Sequence, residues 1–245
     1  MTETAATNQQ NHSVEARQLH LPENLGGQNL LAIDTSLGSV VAVSRGAEVW
    51  QVASSDPMGH AEVIGELITR ALAAASLKAA EITGVVMGTG PGPFTGLRVG
   101  MAAATAFAAG IDVPLLPLIS HEAVAHEAGC FGESRPDGGG GTENTREIQV
   151  SQDARRKELF ISDYRHNGQP GSLPELLAGP VVTKREEHTQ RPGAELVAHE
   201  QVSCFALLQL ALNRLASGVE FASPAPVYLR DPDVRPPAGV KSVIG

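Results

Sequence analysis

The hydrophobic and polar positions of the N-terminal half predict short strands followed by amphipathic helices. Apolar runs bounded by Gly, Ser and Asp predict strands at 29–34, 39–44 and 48–53, joined by tight turns into a three-strand meander. Asp34 lies at the tip of the first strand. Across 60–76 the apolar residues recur every three or four positions, which predicts a helix with one continuous apolar face. Strands alternating with helices indicate an α/β fold.

A second helix, predicted over 95–109, has a different pattern because it is apolar on nearly all sides. Such a helix has to be covered on more than one side. A predicted strand at 84–88 precedes it, and short strands follow at 113–118 and 158–162. The strand can cover one side of the helix, and its small Ala side chains allow another helix to come close on the other.

The segment Gly90–Gly100 joins the strand at 84–88 to this helix and holds four glycines and two prolines in eleven residues. This composition indicates a fixed backbone path that something approaches closely. Thr95 is predicted to cap the helix, and the free N–H groups behind it are a candidate site for an anion or for a partner's carboxylate. Arg98 is the one cation of the loop, which matches neither GxxxxGK[ST] nor GxGxxG.

Composition shifts divide the chain into two predicted lobes and three less ordered segments. The polar start indicates a disordered tail, and the run Gly138–Gly141 marks a flexible insertion. The predicted segments are a tail at 1–28, an N-terminal lobe at 29–130, an insertion at 131–147, a C-terminal lobe at 148–232 and a tail at 233–245.

The two lobes open with the same layout, in which a strand ends in Asp34 or Asp153 and the next strand starts five residues later. Actin/hexokinase-like ATPases show such a duplication, so the two carboxylates are candidates for a magnesium-phosphate site. The alternative is that each carboxylate caps its own turn. The second turn carries Arg155, Arg156 and Lys157, whose long side chains favour the capping role for Asp153; for Asp34 both interpretations stay open.

Net charge and targeting signals limit the classes of function. The chain has a formal charge of −9, so it is a poor stand-alone nucleic-acid binder. Arg155, Arg156 and Lys157 form the one dense basic run and are candidate contacts for RNA or for an acidic partner. We expect a cytoplasmic protein with no membrane contact, since neither a signal peptide nor a stretch of transmembrane length is recognised.

The metal-ligating and nucleophilic residues show no familiar catalytic pattern. Cys130 and Cys204 form no CxxC pair and have no His at ligand spacing, and His60 is not followed by a second His one turn later. His121 and His126 are five residues apart, which is a poor chelating spacing, and GxSxG is absent. We therefore expect no metal site and no catalytic residue.

Five segments occur in an order that resembles the TsaB (YeaZ) family. They are Leu31–Ser36, Gly59–Glu62, Gly90–Gly100, Asp153–Phe160 and Pro226–Arg230. The resemblance covers roughly residues 29 to 231, and the glycine loop is its most specific part. Pro93 stands where the family most often has Ser, so a hydroxyl role is not carried over to that position.

The resemblance implies a two-lobed actin/hexokinase-like (ASKHA, ribonuclease H-like) fold with a mixed sheet in each lobe. It implies a non-catalytic subunit that pairs with TsaD to threonylcarbamoylate the adenosine next to the tRNA anticodon. TsaE completes the complex, the partner subunits use ATP and a metal ion, and this chain has no cofactor of its own. Alone it is expected to form a homodimer, and to meet tRNA only within the complex.

In the family, the helices that correspond to 60–76 and 95–109 form the partner contact. The interface residues implied here are Val63, Ile64, Leu67, Ile68, Leu72, Met101, Ala104, Phe107 and Ala108. Two other functions are weighed against this one. The first is an ATP-dependent phosphotransferase that uses Asp34 and Asp153; the second is a glycoprotease-like peptidase, against which the missing zinc ligands and nucleophile motif argue.

Overall fold

The chain forms two mixed sheets with two layers of helices. A computed structural model describes residues 12–18, 28–54, 59–131, 145–169, 171–199 and 201–230. The described strands are β1 (His12–Gln18), β2 (Leu30–Asp34), β3 (Ser39–Arg45), β4 (Glu48–Ser54), β5 (Gly84–Gly88), β6 (Leu115–Leu118), β7 (Arg146–Asp153), β8 (Glu158–His166), β9 (Glu175–Lys184) and β10 (Glu195–Ala198). The described helices are α1 (His60–Ala74), a short 3-10 helix (Ala79–Glu81), α2 (Phe94–Ile111), α3 (Ser120–Phe131) and α4 (Cys204–Ser217).

The first sheet has the order β1-β4-β3-β2-β5-β6. The predicted meander is present, with β2, β3 and β4 antiparallel, and β5 and β6 add to it in parallel. Alternate residues of β2 point to opposite faces. Leu31 and Ile33 pack with α1 and α2, whereas Leu30 and Ala32 pack with α3 and α4.

The second sheet has the order β10-β7-β8-β9, built on the antiparallel hairpin of β7 and β8. Ile148, Val150 and Tyr164 of this sheet share one core with α3, α4 and the face of the first sheet that carries Leu30 and Ala32. Helix α4, which lies in the predicted C-terminal lobe, also contacts β2 and β3 of the first sheet. A layer of two helices therefore joins the two sheets.

The predicted tail at 1–28 is wrong over 12–18. These residues form β1, which pairs antiparallel with β4 and places Val14 opposite Val52. A strand at a sheet edge exposes unpaired backbone N–H and C=O groups, and these can recruit a polar segment that has no core of its own. The insertion predicted at 131–147 is also too long, because α3 extends to Phe131 and β7 starts at Arg146. The rest of the insertion and the tail at 233–245 lie outside the described residues.

Helix α2 is longer than predicted and apolar enough to meet the criterion for a membrane span. It runs for 18 residues, and by length and composition alone it could cross a bilayer, contrary to the expectation that no stretch is long enough. Its buried residues include Leu97, Ala104 and Ala108, and it contacts β5, β2 and α1. These are the contacts of a helix that covers a sheet.

Candidate functional site

Asp34 is buried at the end of β2 and is engaged by the residues around it. One carboxylate oxygen accepts hydrogen bonds from the Ser36 backbone N–H (2.8 Å) and the Ser36 hydroxyl (2.6 Å). The other oxygen accepts one from the Ser120 hydroxyl (2.6 Å). Only 1% of Asp34 is exposed. The capping interpretation is therefore correct for Asp34, and its prediction as an anion or nucleotide contact is wrong.

Two glycines of the loop, Gly92 and Gly100, are needed because the β2–β3 turn packs directly on them. A Cβ added to Gly92 would lie 2.8 Å from the Ser36 backbone, and one added to Gly100 would lie 2.3 Å from the Thr35 hydroxyl. That hydroxyl donates to the Gly96 carbonyl (2.7 Å) and accepts from the Gly100 N–H (3.0 Å). The close approach predicted for this loop is made by the chain itself.

The start of α2 differs from the prediction. Pro93 is the N-cap residue and gives no side-chain capping bond, so Thr95 is not the cap and is exposed in the first turn. Arg98 is exposed one turn further on, with its guanidinium carbon 4.5 Å from the centre of the Phe94 ring. The Phe94 ring in turn lies 4.9 Å from that of Tyr228.

The β7–β8 turn holds three consecutive residues in the left-handed region, which non-glycine residues rarely adopt. The φ angles of Arg155, Arg156 and Lys157 are 63°, 53° and 61°. Asp153 stabilises this turn, because its Oδ1 accepts from the Arg155 N–H (3.0 Å) and from Arg185 (3.3 Å). Each left-handed residue costs about 1–2 kcal/mol. The turn therefore holds exposed cationic side chains on a strained, well-defined backbone.

These features meet in one cleft of about 460 Å³ between the two sheets. It is lined by Gly92, Pro93, Phe94, Thr95, Ala154, Arg155, Arg156, Phe160, Tyr228, Leu229 and Arg230. Arg230 forms an ion pair with Glu158 and lies near the Phe160 ring, while the Tyr228 hydroxyl is buried and has no hydrogen-bond partner among the described residues. Cations, aromatic rings and a free hydroxyl suit a planar, anionic group.

The structure thus brings some predicted residues together and separates others. Thr95, Arg155 and Arg156 share the cleft, and Arg98 lies beside it through Phe94. Lys157 lines a neighbouring cavity of about 610 Å³ with Arg156, Glu158, Lys184, Arg185 and Glu186. Asp34 reaches neither cavity. The sequence indicates Tyr228 and Arg230 only as part of a family motif, and it carries no signal that they line one cleft with the glycine loop.

The predicted partner residues of α1 and α2 are largely turned towards their own sheet. Five of them are buried in the core that α1 and α2 form with the first sheet, so their assignment to an interface is wrong: Val63, Ile64, Leu67, Ala104 and Ala108. Ile68, Leu72, Met101 and Phe107 are partly buried and pack against the same core. The apolar stripe of each helix faces its own sheet because that is where most apolar surface is removed from water.

The opposite sides of α1 and α2 carry small exposed residues. The stripe on α1 is Ala61, Gly65, Thr69 and Ala73, and that on α2 is Ala102, Thr105, Ala106 and Ala109. The two helices contact each other. We call these eight residues the α1–α2 face. Small side chains leave it nearly flat, so that another pair of helices can approach closely.

A cluster of two histidines and a cysteine contradicts the expectation that Cys130 has no His at ligand spacing. His126 and Cys130 are one helical turn apart on α3, and β8 places His166 against them. Their candidate ligand atoms all lie within 4.8 Å of one another. The i, i+4 spacing of His126 and Cys130 was the available signal, and only the packing of β8 on α3 supplies the third member.

Comparison with known proteins relates parts of the chain to the TsaB and TsaD proteins and most of it to an uncharacterized mycobacterial protein. The TsaD family model, described as tRNA N6-adenosine threonylcarbamoyltransferase, matches residues 57–172. An uncharacterized Mycobacterium tuberculosis protein is 32% identical over 225 residues, which cover 84% of this chain and 94% of the relative. The tRNA threonylcarbamoyladenosine biosynthesis protein TsaB of Haemophilus influenzae is 36% identical over 101 residues, or 40% of this chain and 42% of that protein.

Solved structures show the same fold. YeaZ from Pseudomonas aeruginosa superposes with a TM-score of 0.63 at 24% identity, covering 82% of this chain and 100% of that one. A second Pseudomonas aeruginosa structure, described as similar to peptidase YeaZ, has a TM-score of 0.65 and covers 83% and 100%. The predicted two-lobed fold with a mixed sheet in each lobe is thereby confirmed.

Proposed function

The chain belongs to the TsaB (YeaZ) family, and from this we propose that it is a non-catalytic, activating subunit that pairs with TsaD. The pair threonylcarbamoylates the adenosine next to the tRNA anticodon. TsaE joins the complex, and the partner subunits use the ATP and the metal ion of the reaction. The tRNA modification takes place in the cytoplasm. In the absence of TsaD, two copies of this chain pair with each other.

The α1–α2 face is the observation that carries this proposal. Its eight exposed residues are small, and Glu62, Glu66 and Arg70 beside them supply a polar rim. Close contact between helices needs small residues at the centre and polar groups at the edge. A partner that presents two helices of the same kind fits it, and both TsaD and a second copy of this chain would do so as members of related families.

Two features support a non-catalytic role. Both candidate metal carboxylates hold turns: Asp34 is buried with three donors on its oxygens, and Asp153 is bonded to the Arg155 N–H and to Arg185. The strained β7–β8 turn places Arg155 and Arg156 where a phosphate would have to meet backbone N–H groups.

The cationic cleft supports contact with RNA or an acidic partner inside the complex. The chain as a whole carries a charge of −9, which disfavours binding of tRNA by this chain alone. The positive side chains of the cleft are a local exception, and they become useful once TsaD has positioned the tRNA. Salt would then weaken the ternary assembly more than it weakens the α1–α2 contact.

The test is a charged substitution at Gly65. No atom of the described residues lies within 4 Å of a Cβ added there, so Gly65→Arg leaves the fold intact and places a long cation in the α1–α2 face. We expect native mass measurements to show a mixed pair of TsaD with the wild-type chain and none with Gly65→Arg. Modification of tRNA by TsaD, TsaE and the synthase that supplies threonylcarbamoyl-adenylate should fall at least tenfold with the variant.

Gly65→Ala is the matched control. It adds one methyl group to the same position, raises helix propensity by about 1 kcal/mol and should pair and activate like the wild type. Equal pairing by Gly65→Arg would show that the α1–α2 face is not the contact. Full modification by TsaD and TsaE without this chain would overturn the activating role itself.

A further inference from the structure

Three side chains from α3 and β8 form a mostly buried cluster that no part of the proposed function uses. His126 Nδ1 lies 3.1 Å from His166 Nε2, and Cys130 Sγ lies 3.8 Å and 3.7 Å from these two nitrogens. Both histidines are buried and the cysteine is partly exposed. We propose that His126, Cys130 and His166 bind a zinc ion that ties α3 to the second sheet.

The spacing of the ligand atoms is compatible with a tetrahedral zinc site. Zinc binds nitrogen at about 2.0–2.1 Å and thiolate sulfur at about 2.3 Å, so two tetrahedral ligands are separated by roughly 3.3 Å for two nitrogens and roughly 3.6 Å for nitrogen and sulfur. The separations here, 3.1 Å, 3.7 Å and 3.8 Å, each agree within 0.3 Å. Small shifts suffice for one ion to contact all three.

Gly129 makes this meeting possible. A Cβ at that position would lie 2.4 Å from His166 Cγ, so any other residue would push the imidazole away from α3. Glycine inside a helix is about 1 kcal/mol less favourable than alanine. The contact with His166 explains why glycine occupies this position in α3. The ion would join a helix that follows the first sheet to a strand of the second.

The fourth coordination position would be filled by water. The Ser172 hydroxyl lies 3.2 Å from His166 Nε2, and the Gln169 carbonyl lies 3.6 Å from Cys130 Sγ. These groups can hold a water molecule as the fourth ligand. Two imidazoles and one thiolate favour zinc over magnesium or calcium, which select oxygen ligands.

Binding also sets a proton balance. The Gly168 N–H donates to His166 Nδ1 (2.9 Å), so without metal the proton of that ring is on Nε2. Zinc at Nε2 moves this proton to Nδ1 and breaks the Gly168 bond. The Cys130 sulfur binds a metal ion only as the thiolate, so the thiol proton is released to solvent on binding. One proton therefore leaves for each ion bound.

Cobalt is a suitable probe because it occupies zinc sites and reports its ligands by absorbance. The full chain, stripped with chelator, is titrated with Co²⁺ at neutral pH. We expect one Co²⁺ per chain, intense visible bands of a tetrahedral ion, a near-ultraviolet sulfur-to-cobalt band, and displacement of all three signals by Zn²⁺. A pH indicator in weak buffer should record about one proton released per ion.

The variants assign the ligands. Cys130→Ala should abolish the sulfur-to-cobalt band and weaken binding roughly 100-fold or more, since even loss of an outer-shell partner costs 10–100-fold. Cys204→Ser, at the other cysteine, is the control and should bind like the wild type. Gly129→Ala should weaken binding without removing any ligand.

An unchanged cobalt spectrum in Cys130→Ala or His166→Asn would overturn the proposal. So would the absence of tetrahedral bands at a tenfold excess of Co²⁺ over the wild-type chain. Both results stand apart from the pairing with TsaD, which the Gly65 variants test separately.

Discussion

Replacement of Asp34 by alanine should destabilise the whole fold rather than remove an activity. The carboxylate accepts from the Ser36 N–H, the Ser36 hydroxyl and the Ser120 hydroxyl, all buried. A hydrogen bond to a charged acceptor contributes about 1.5 kcal/mol at the low end of the measured range, so losing three lowers the free energy of unfolding by about 4.5 kcal/mol. For a chain of this size the midpoint of thermal unfolding should fall by about 9–18 °C.

Urea denaturation followed by circular dichroism measures this loss, and two variants calibrate it. Asp34→Asn keeps one acceptor oxygen for Ser36 and should lose about 2 kcal/mol, since its amide cannot accept from Ser120. Asp153→Ala removes a capping carboxylate that is half exposed, and should lose less than about 1 kcal/mol. Among the three variants, Asp153→Ala should therefore be the most stable, Asp34→Asn intermediate and Asp34→Ala the least stable.

The reasoning is refuted if Asp34→Ala unfolds at the same urea concentration as Asp153→Ala. A Mg²⁺-ATP titration of the purified chain distinguishes the phosphotransferase alternative. That alternative requires Asp34→Asn and Asp153→Ala to keep their stability and lose tight, Mg²⁺-dependent ATP binding.

Two further predictions concern strain and protonation. Arg156→Gly should raise the free energy of unfolding by about 1 kcal/mol in urea denaturation, because glycine adopts φ 53° without strain; Arg156→Ala, which keeps the Cβ, should not, and equal midpoints would contradict the strain. Burial lowers the pKa of His121 from 6.5 to about 3, so its contribution is complete above pH 6.5 and is lost as pH falls towards 3. The free energy of unfolding falls as pH is lowered from 6 to 4, and in His121→Asn it should fall by about 1.4 kcal/mol less per pH unit than in the wild type. Equal slopes in the two proteins would show that His121 does not contribute to this pH dependence.

Local patterns predicted the elements well because each depends on a few neighbouring residues. The meander with Asp34 at its tip, the two helices and the strand before the glycine loop are all present. The ends of the helices moved by one or two residues, and Pro93 replaced Thr95 as the cap. Capping depends on where the preceding loop delivers the chain, and that loop is positioned by the distant Ser36 and Thr35.

Prediction failed where a residue's role depends on which surface it meets. The apolar stripes of α1 and α2 were assigned to a partner, yet Leu67 and Ala104 are buried against the chain's own sheet. Both surfaces are apolar, so the pattern that marks an inward stripe cannot distinguish a sheet from another subunit. Residues 12–18 failed for a related reason, since an edge strand is held by backbone hydrogen bonds that leave little trace in composition.

The sequence by itself determined the two lobes, the Asp-tipped hairpins and the rigid glycine loop, since composition and spacing along the chain govern turns and strands. Only the tertiary structure decided what these features contact. It turned the loop's glycines towards the β2–β3 turn, gathered Thr95, Arg155 and Tyr228 around one cleft, and placed His166 beside Cys130. Such contacts join residues far apart in the chain, and they are set by how two sheets pack on a shared pair of helices.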